Sequence, residues 1–177
     1  MSDAGSGRTD ASESVDCDTP DRPVVAFYSR TGTTRQVAED VAAAVGSARV
    51  DPIQSRRDRS YWNWLARSFL PGSTVSIEPM ETDFRDAPAF FLGSPKWTLS
   101  CPPVTAFLDR ATLSGVPTGV FLTYGGFDER RYAAGLVDRL RARGADVRAT
   151  LLVKRDRVGS DAYHDAVETF SEAILDG

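Results

Sequence analysis

The sequence contains few of the residues from which several common kinds of site are built. Its 177 residues include one histidine, His164, and two cysteines, Cys17 and Cys101. A Ser-His-Asp triad or a histidine-rich metal centre would have to be built around His164, and the two cysteines have no metal-ligand spacing. We therefore expect no metal site, a surface position for His164, and a reducing, cytoplasmic environment.

Long apolar runs and an excess of positive charge are also absent. No run approaches the roughly 18 residues that cross a bilayer, and the first 21 residues lack the basic start and apolar stretch of a signal peptide. Residues 1–21 hold six acidic side chains against Arg8, so residues 22–177 are nearly neutral although the whole chain carries a net charge of −4. A nucleic-acid-binding surface normally has a basic excess, and we expect no such partner. We predict a disordered acidic tail at 1–21 and one domain at 22–177.

Strand and helix patterns alternate through this domain. Pro52 interrupts the second strand pattern and places it at an edge of the sheet. Alternation of this kind predicts an α/β fold with a parallel sheet and right-handed crossovers, in which ligands bind beyond the C-terminal ends of the strands. The five apolar stretches that we interpret as strands are 24–28, 48–53, 89–93, 120–124 and 147–153.

The pattern is less regular between the second and third predicted strands. Residues 60–70 predict a short helix with an aromatic stripe, which is more often core than a ligand platform. An exposed Trp62 or Trp64 would instead indicate a partner surface. Residues 73–87, with Ile77, Met80 and Phe84 among polar neighbours, predict a long connection over the surface.

The stretch from Val24 to Val45 carries the clearest indication of a site. An apolar run ends in Ser29-Arg30-Thr31-Gly32-Thr33-Thr34, and a helical pattern follows at once. The first turn of a helix offers unpaired N–H groups and the positive end of the dipole to an anion. Hydroxyl groups add donors, and glycine allows a positive φ. Neither the Walker pattern nor the three-glycine dinucleotide pattern occurs. The stretch predicts another kind of phosphate loop, with an ordinary βα turn as the alternative.

Three loops together resemble those of the flavodoxin family. Ser29-x-Thr31-Gly32-x-Thr34 resembles the phosphate loop, Gly93-Ser94-Pro95-x-Trp97 the second loop, and Thr123-Tyr124-Gly125-Gly126 the ring-edge loop. The resemblance covers roughly residues 23–175. It implies a flavodoxin-like three-layer α/β fold, a five-stranded parallel sheet of order 2-1-3-4-5 with helices on both faces, bound FMN and electron transfer.

The resemblance also implies which residues bind the cofactor. The first loop would hold the phosphate, with Arg30 adding charge from its rim, and Trp97 and Tyr124 would stack on the isoalloxazine unless they are packing residues. Backbone N–H groups of 96–98 and 125–127 would bond the pyrimidine edge, while FMN performs the redox chemistry and no catalytic side chain is predicted. The implied cofactor-binding residues are Ser29, Arg30, Thr31, Gly32, Thr33, Thr34, Ser94, Pro95, Lys96, Trp97, Tyr124, Gly125 and Gly126.

The second loop departs from the family's pattern in a way that bears on function. Electron-carrying members turn a backbone carbonyl toward flavin N5 to stabilise the one-electron-reduced state, often at a glycine. Residues 96–100 contain no glycine, and a positive φ there would cost roughly 1 kcal/mol or more. Lys96 would favour reduced flavin, whereas Asp128 and Glu129 would oppose it. Cys101 is expected to be a packing residue, unless the helix that starts beside it lowers its thiol pKa for a redox role.

Three functions therefore stay open. The first is an FMN-binding protein that carries electrons between soluble partners. The second is an FMN-dependent NAD(P)H:quinone oxidoreductase, usually an oligomer, and the third is a non-redox module that has lost the flavin. The intact hydroxyl-rich loop disfavours the third, since a redundant loop need not keep four hydroxyl groups beside one glycine.

Overall fold

The computed structural model describes residues 22–56 and 75–176. The predicted tail at 1–21 and the predicted aromatic helix at 60–70, with Trp62 and Trp64, lie outside the described residues. Both stay predictions.

One sheet of five parallel strands forms the centre of the domain. The strands are β1 Val24–Phe27, β2 Arg49–Pro52, β3 Phe90–Pro95, β4 Pro117–Tyr124 and β5 Asp146–Lys154. Their order in the sheet is β2-β1-β3-β4-β5, which confirms the order that the resemblance implied. Pro52 lies in an edge strand, as predicted, where the N–H group that it lacks is least needed.

β3 is longer than its apolar run suggests. The sequence placed the start of a loop at Ser94, which is wrong, because Ser94 and Pro95 continue the ladder and pair with Leu122 and Thr123 on β4. The neighbouring strand extends the ladder past the last apolar side chain. The second loop therefore leaves the sheet only at Lys96.

Four α-helices within the described ranges cover the two faces of the sheet. They are α1 Thr33–Ala44, α2 Pro102–Leu108, α3 Glu129–Arg141 and α4 Asp161–Leu175. Alternate side chains of β1 separate two cores: Val25 and Phe27 pack with α1 and α4, and Val24 and Ala26 pack with α2 and α3. Burial of such apolar surface on both faces is the main stabilising contribution in a fold of this kind.

The segment from 75 to 89 is more than the surface connection predicted for it. Ile77 is 3% exposed and Phe84 is 2% exposed, and both belong to the core on the side of α2 and α3. The Phe84 ring lies 4.8 Å from that of Phe90 and 5.9 Å from that of Phe107, measured between centroids. The segment is irregular, as expected, but it is anchored by its apolar side chains.

Gly93 sits where β3 passes beneath an aromatic ring. A Cβ added at this position would lie 2.3 Å from Cε2 of Phe121 and 2.8 Å from Cβ of Phe27, and Phe121 is fully buried. We expect Gly93→Ala to lower the free energy of unfolding by about 1–3 kcal/mol, because the buried ring has no room to move. Denaturant unfolding measures this change.

Gly126→Ala is the matched control, since a Cβ there meets no atom within 4 Å. Its free energy of unfolding should stay within about 0.5 kcal/mol of the parent value. Equal stability of the two variants would contradict the close packing described at Gly93.

Candidate functional site

A cavity of about 400 Å³ opens at the C-terminal edge of the sheet. This size is typical of small-molecule sites, and in open α/β sheets such sites lie at this edge. The cavity brings together the loop after β1, the end of β3 and its following loop, the end of β4, and the segment after β5. Its lining residues are Arg30, Thr31, Thr33, Thr34, Pro95, Lys96, Trp97, Thr98, Thr123 and Arg155.

The start of α1 lines this cavity with backbone groups that can donate to an anion. Gly32 has φ +93°, no side chain caps the helix, and no acidic residue occupies its first turn. The Gly32 N–H donates to Ser29 Oγ at 3.2 Å, and its carbonyl accepts from the Gln36 N–H at 2.9 Å, which starts the helical ladder. The first-turn N–H groups of residues 33–35 have no acceptor within the helix itself. They can therefore serve an anion.

Hydroxyl groups of the loop divide into two kinds. Thr31 is exposed and Thr33 half-buried, and both line the cavity. Thr34 is only 2% exposed, and its Oγ1 lies 2.7 Å from Oγ1 of Thr123 on β4. In such a pair one hydroxyl donates and the other keeps its own proton for a further partner. Thr34 is thus tied to Thr123, which the sequence places in the third loop but which was not among the predicted cofactor-binding residues.

Positive charge dominates the cavity. Arg30, Lys96 and Arg155 line it, and none of its described lining residues is acidic. Arg155 was missed from sequence; it follows β5 in a 3₁₀ turn, Arg155–Arg157. Its guanidinium carbon lies 3.6 Å from the position that a Cβ would take at Gly125. Arg155 therefore contacts the third loop as well as lining the cavity. Three cations without an acid create a field that attracts a phosphate dianion.

Trp97 also lines the cavity. It is half-buried, its ring meets Tyr28 edge-on at 6.3 Å between centroids, and it packs on the core. Tyr132 of α3 lies close to Ser94 and Trp97, and burial raises the pKa of Tyr132 well above its usual value. The phenol therefore stays protonated. None of these contacts tests the predicted stacking of Trp97 on the flavin ring, which stays a prediction.

Two expectations for the second loop differ from the structure. The Ser94 side chain is fully buried, and its Oγ donates to the Pro95 carbonyl at 3.1 Å, so it does not line the cavity. The Lys96 N–H donates to the Thr123 carbonyl at 2.7 Å and is not available to the edge of a flavin. Both differences follow from the two extra residues of β3. Backbone groups that would be free in a loop are hydrogen-bonded within the sheet instead.

The third loop flanks the cavity. Tyr124 is half-buried at the end of β4, Gly125 and Gly126 are exposed, and none of the three is among the residues that line the cavity. Phe127 is 85% exposed, with Nζ of Lys96 5.6 Å from its ring centroid. Asp128 has φ +64°, the only positive φ of a non-glycine residue in the described ranges. Backbone strain of this kind concentrates at functional sites.

Cys101 and His164 play no part in the cavity. Cys101 precedes α2 and is 2% exposed, and burial raises the pKa of its thiol to about 12. Desolvation therefore outweighs the helix terminus, which confirms the packing interpretation against the redox one. His164 is exposed on α4, as predicted. Within residues 22–56 and 75–176, no group of three metal-ligating side chains occurs. None of the helices in these ranges combines the length and apolar character needed to cross a membrane.

Comparison with known proteins links this architecture to flavin proteins. An uncharacterized protein of Archaeoglobus fulgidus is 39% identical over 129 residues, which are 73% of this chain and 83% of the relative. Oxidised flavodoxin 2 from Bacillus cereus has a TM-score of 0.62 at 16% identity, covering 88% of this chain and 98% of the flavodoxin. A flavoprotein from Lactobacillus acidophilus, solved in complex with FMN, has a TM-score of 0.62 at 15% identity, covering 74% and 92%. No family model matches the chain.

Proposed function

We propose that this chain, which has a flavodoxin-like fold, binds FMN and carries electrons between soluble redox partners. The observation that carries the proposal is the uncapped start of α1, which opens into a cavity with three cations and no acid among its described lining residues. A phosphate on a flat aromatic ligand matches both ends of that cavity. A reducing, cytoplasmic location is part of the proposal.

The residues of the cavity fit FMN. The first-turn N–H groups of α1 and the hydroxyls of Thr31 and Thr33 would hold the phosphate, and Arg30 and Arg155 would balance its charge. Trp97 would face the ring system and exclude water from it. When bound, FMN supplies reversible transfer of one or two electrons. The chain's part is to bind, orient and tune it.

Lys96 is expected to set the potential of the bound flavin. Lys96→Ala removes a cation from the cavity wall, which destabilises the anionic reduced flavin relative to the neutral oxidised one. A charge about 6 Å away at an effective dielectric constant of about 40 contributes about 1.4 kcal/mol. That energy lowers a two-electron potential by about 30 mV. Potentiometric titration with a reference dye measures the change.

Lys154→Ala provides the control for this prediction. Lys154 ends β5, pairs with Asp156 at 2.8 Å and does not line the cavity. Its replacement should leave the potential unchanged. A raised potential in Lys96→Ala would mean that the ammonium group does not act on the flavin as proposed.

A second candidate function is FMN-dependent NAD(P)H:quinone oxidoreduction. Residues 96–100 include no glycine and no positive φ, and the Lys96 N–H is fixed to β4. This loop therefore resists the carbonyl turn that favours one-electron chemistry, which supports a two-electron reaction. Stepwise reduction followed by absorbance separates the candidates. Accumulation of one-electron-reduced flavin supports the carrier, and direct two-electron reduction with turnover of NAD(P)H and a quinone supports the enzyme.

A further inference from the structure

A second cavity, of about 300 Å³, lies between α3 and the segment that leads from Thr98 into α2. Thr98 lines both this cavity and the one proposed for FMN. From α3 the lining includes Arg131, Gly135 and Arg139, which are spaced by four residues and so share one face of the helix. The second cavity therefore borders the proposed flavin site and, apart from Thr98, is lined by different residues.

Gly135 is the first indication that this cavity is kept open. It lies within α3, where glycine is about 1 kcal/mol less favourable than alanine. Its φ is not positive, and a Cβ added there would meet no atom within 4 Å. Neither a positive φ nor close packing against the described residues requires a glycine at position 135. A larger side chain would instead project into open space at the cavity.

Charge at the cavity favours an anion. Arg139 Nη1 donates to Oγ1 of Thr105 at 3.1 Å, which fixes this arginine across the gap between α3 and α2. Arg131 also lines the cavity, and its described surroundings include no ion pair to it. Asp128 is the one acid among the described lining residues, so the two arginines leave an excess of positive charge. Guanidinium groups bind carboxylates with paired hydrogen bonds.

The remaining wall combines apolar side chains with side chains that carry hydroxyl groups. Val104 and Leu136 are 2% and 7% exposed, and Leu99, which is 58% exposed, also lines the cavity. We propose that this second cavity binds a small organic anion, a carboxylate carried on an aromatic body, beside the FMN site. Arg131 pairs with the carboxylate while Arg139 adds positive charge, the apolar side chains cover the ring, and Gly135 provides the room. An inorganic anion would leave the apolar side chains unused.

Calorimetric titration of the full chain, with and without added FMN, tests this site. The probes are 1-naphthoate, the neutral 1-naphthalenemethanol and inorganic phosphate. We expect naphthoate to bind at least about 10-fold more tightly than either of the others, since only it uses both the arginines and the apolar side chains. Equal affinity for naphthoate and either of the other two probes, or no binding of naphthoate at millimolar concentration, would overturn the proposal.

Variants locate the binding on α3. Arg131→Gln should weaken naphthoate binding about 10-fold, while Arg130→Gln, an exposed neighbour that does not line the cavity, should not. Gly135→Leu should abolish binding by filling the cavity, and Gly135→Ala should raise the melting temperature because it favours the helix. Unchanged naphthoate affinity in Arg131→Gln would overturn the assignment, even if Gly135→Leu failed to fold. Naphthoate binding without any FMN binding would contradict the proposed function alone.

Discussion

Replacing Thr31 and Thr33 together by alanine is expected to weaken FMN binding by about 100-fold or more. Both side chains line the cavity at the start of α1. Each hydrogen bond to a charged phosphate contributes about 1.5–3 kcal/mol, so losing two of them removes about 3 kcal/mol or more. Quenching of flavin fluorescence on titration with protein measures the dissociation constant. The affinity for riboflavin, which lacks the phosphate, should change far less.

Thr34 is left intact in this test because its hydroxyl is buried against Thr123, and its loss would also disturb the core. The matched control is Thr112→Ala with Thr150→Ala, two exposed threonines that do not line the cavity. The control should bind FMN like the parent chain. An unchanged FMN affinity in a folded Thr31→Ala/Thr33→Ala variant would refute the placement of the phosphate.

Reversal of the charge at Arg155 is expected to have the second large effect on FMN binding. Arg155→Glu replaces a cation of the cavity by an anion facing the phosphate. At a dielectric constant appropriate to a partly exposed site, the change is on the order of 2 kcal/mol, or about 30-fold in the dissociation constant. The effect should shrink as salt is added, because ions screen exposed charges. Fluorescence titration at two salt concentrations measures both quantities.

Arg157 offers a control within the same 3₁₀ turn. It is exposed and does not line the cavity, so Arg157→Glu makes the same change in net charge at a different place. If both variants lost the same affinity, the effect would come from the overall charge of the chain and not from the cavity. That result would remove Arg155 from the proposed site.

The fold could be predicted because its main signals are local. Apolar runs and helical periodicity lie within single elements, and each of the five predicted strands occurs in the sheet. Strand ends could not be predicted from the same signals. β4 begins at Pro117, and a Cβ added at Gly119 would lie 2.7 Å from the Phe170 ring. The need for glycine at position 119 comes from the ring of Phe170, which lies on a helix 51 residues further along the chain.

The site also has one part that follows from local sequence and another that depends on residues far apart in the chain. The loop from 29 to 34 is one continuous stretch, and its place at a helix start follows from its own residues. The Thr34–Thr123 pair joins residues 89 positions apart, and Arg155 reaches the cavity only because β5 lies beside β4. The raised pKa of the Cys101 thiol could not be predicted from the sequence either, because burial among distant residues causes it.

The absorption spectrum of the full chain after incubation with FMN and removal of free ligand tests the central claim most directly. We expect a yellow protein with the visible bands of a flavin, which releases FMN when it is denatured. A folded, colourless protein that takes up no FMN would contradict it and would favour a module that has lost the flavin.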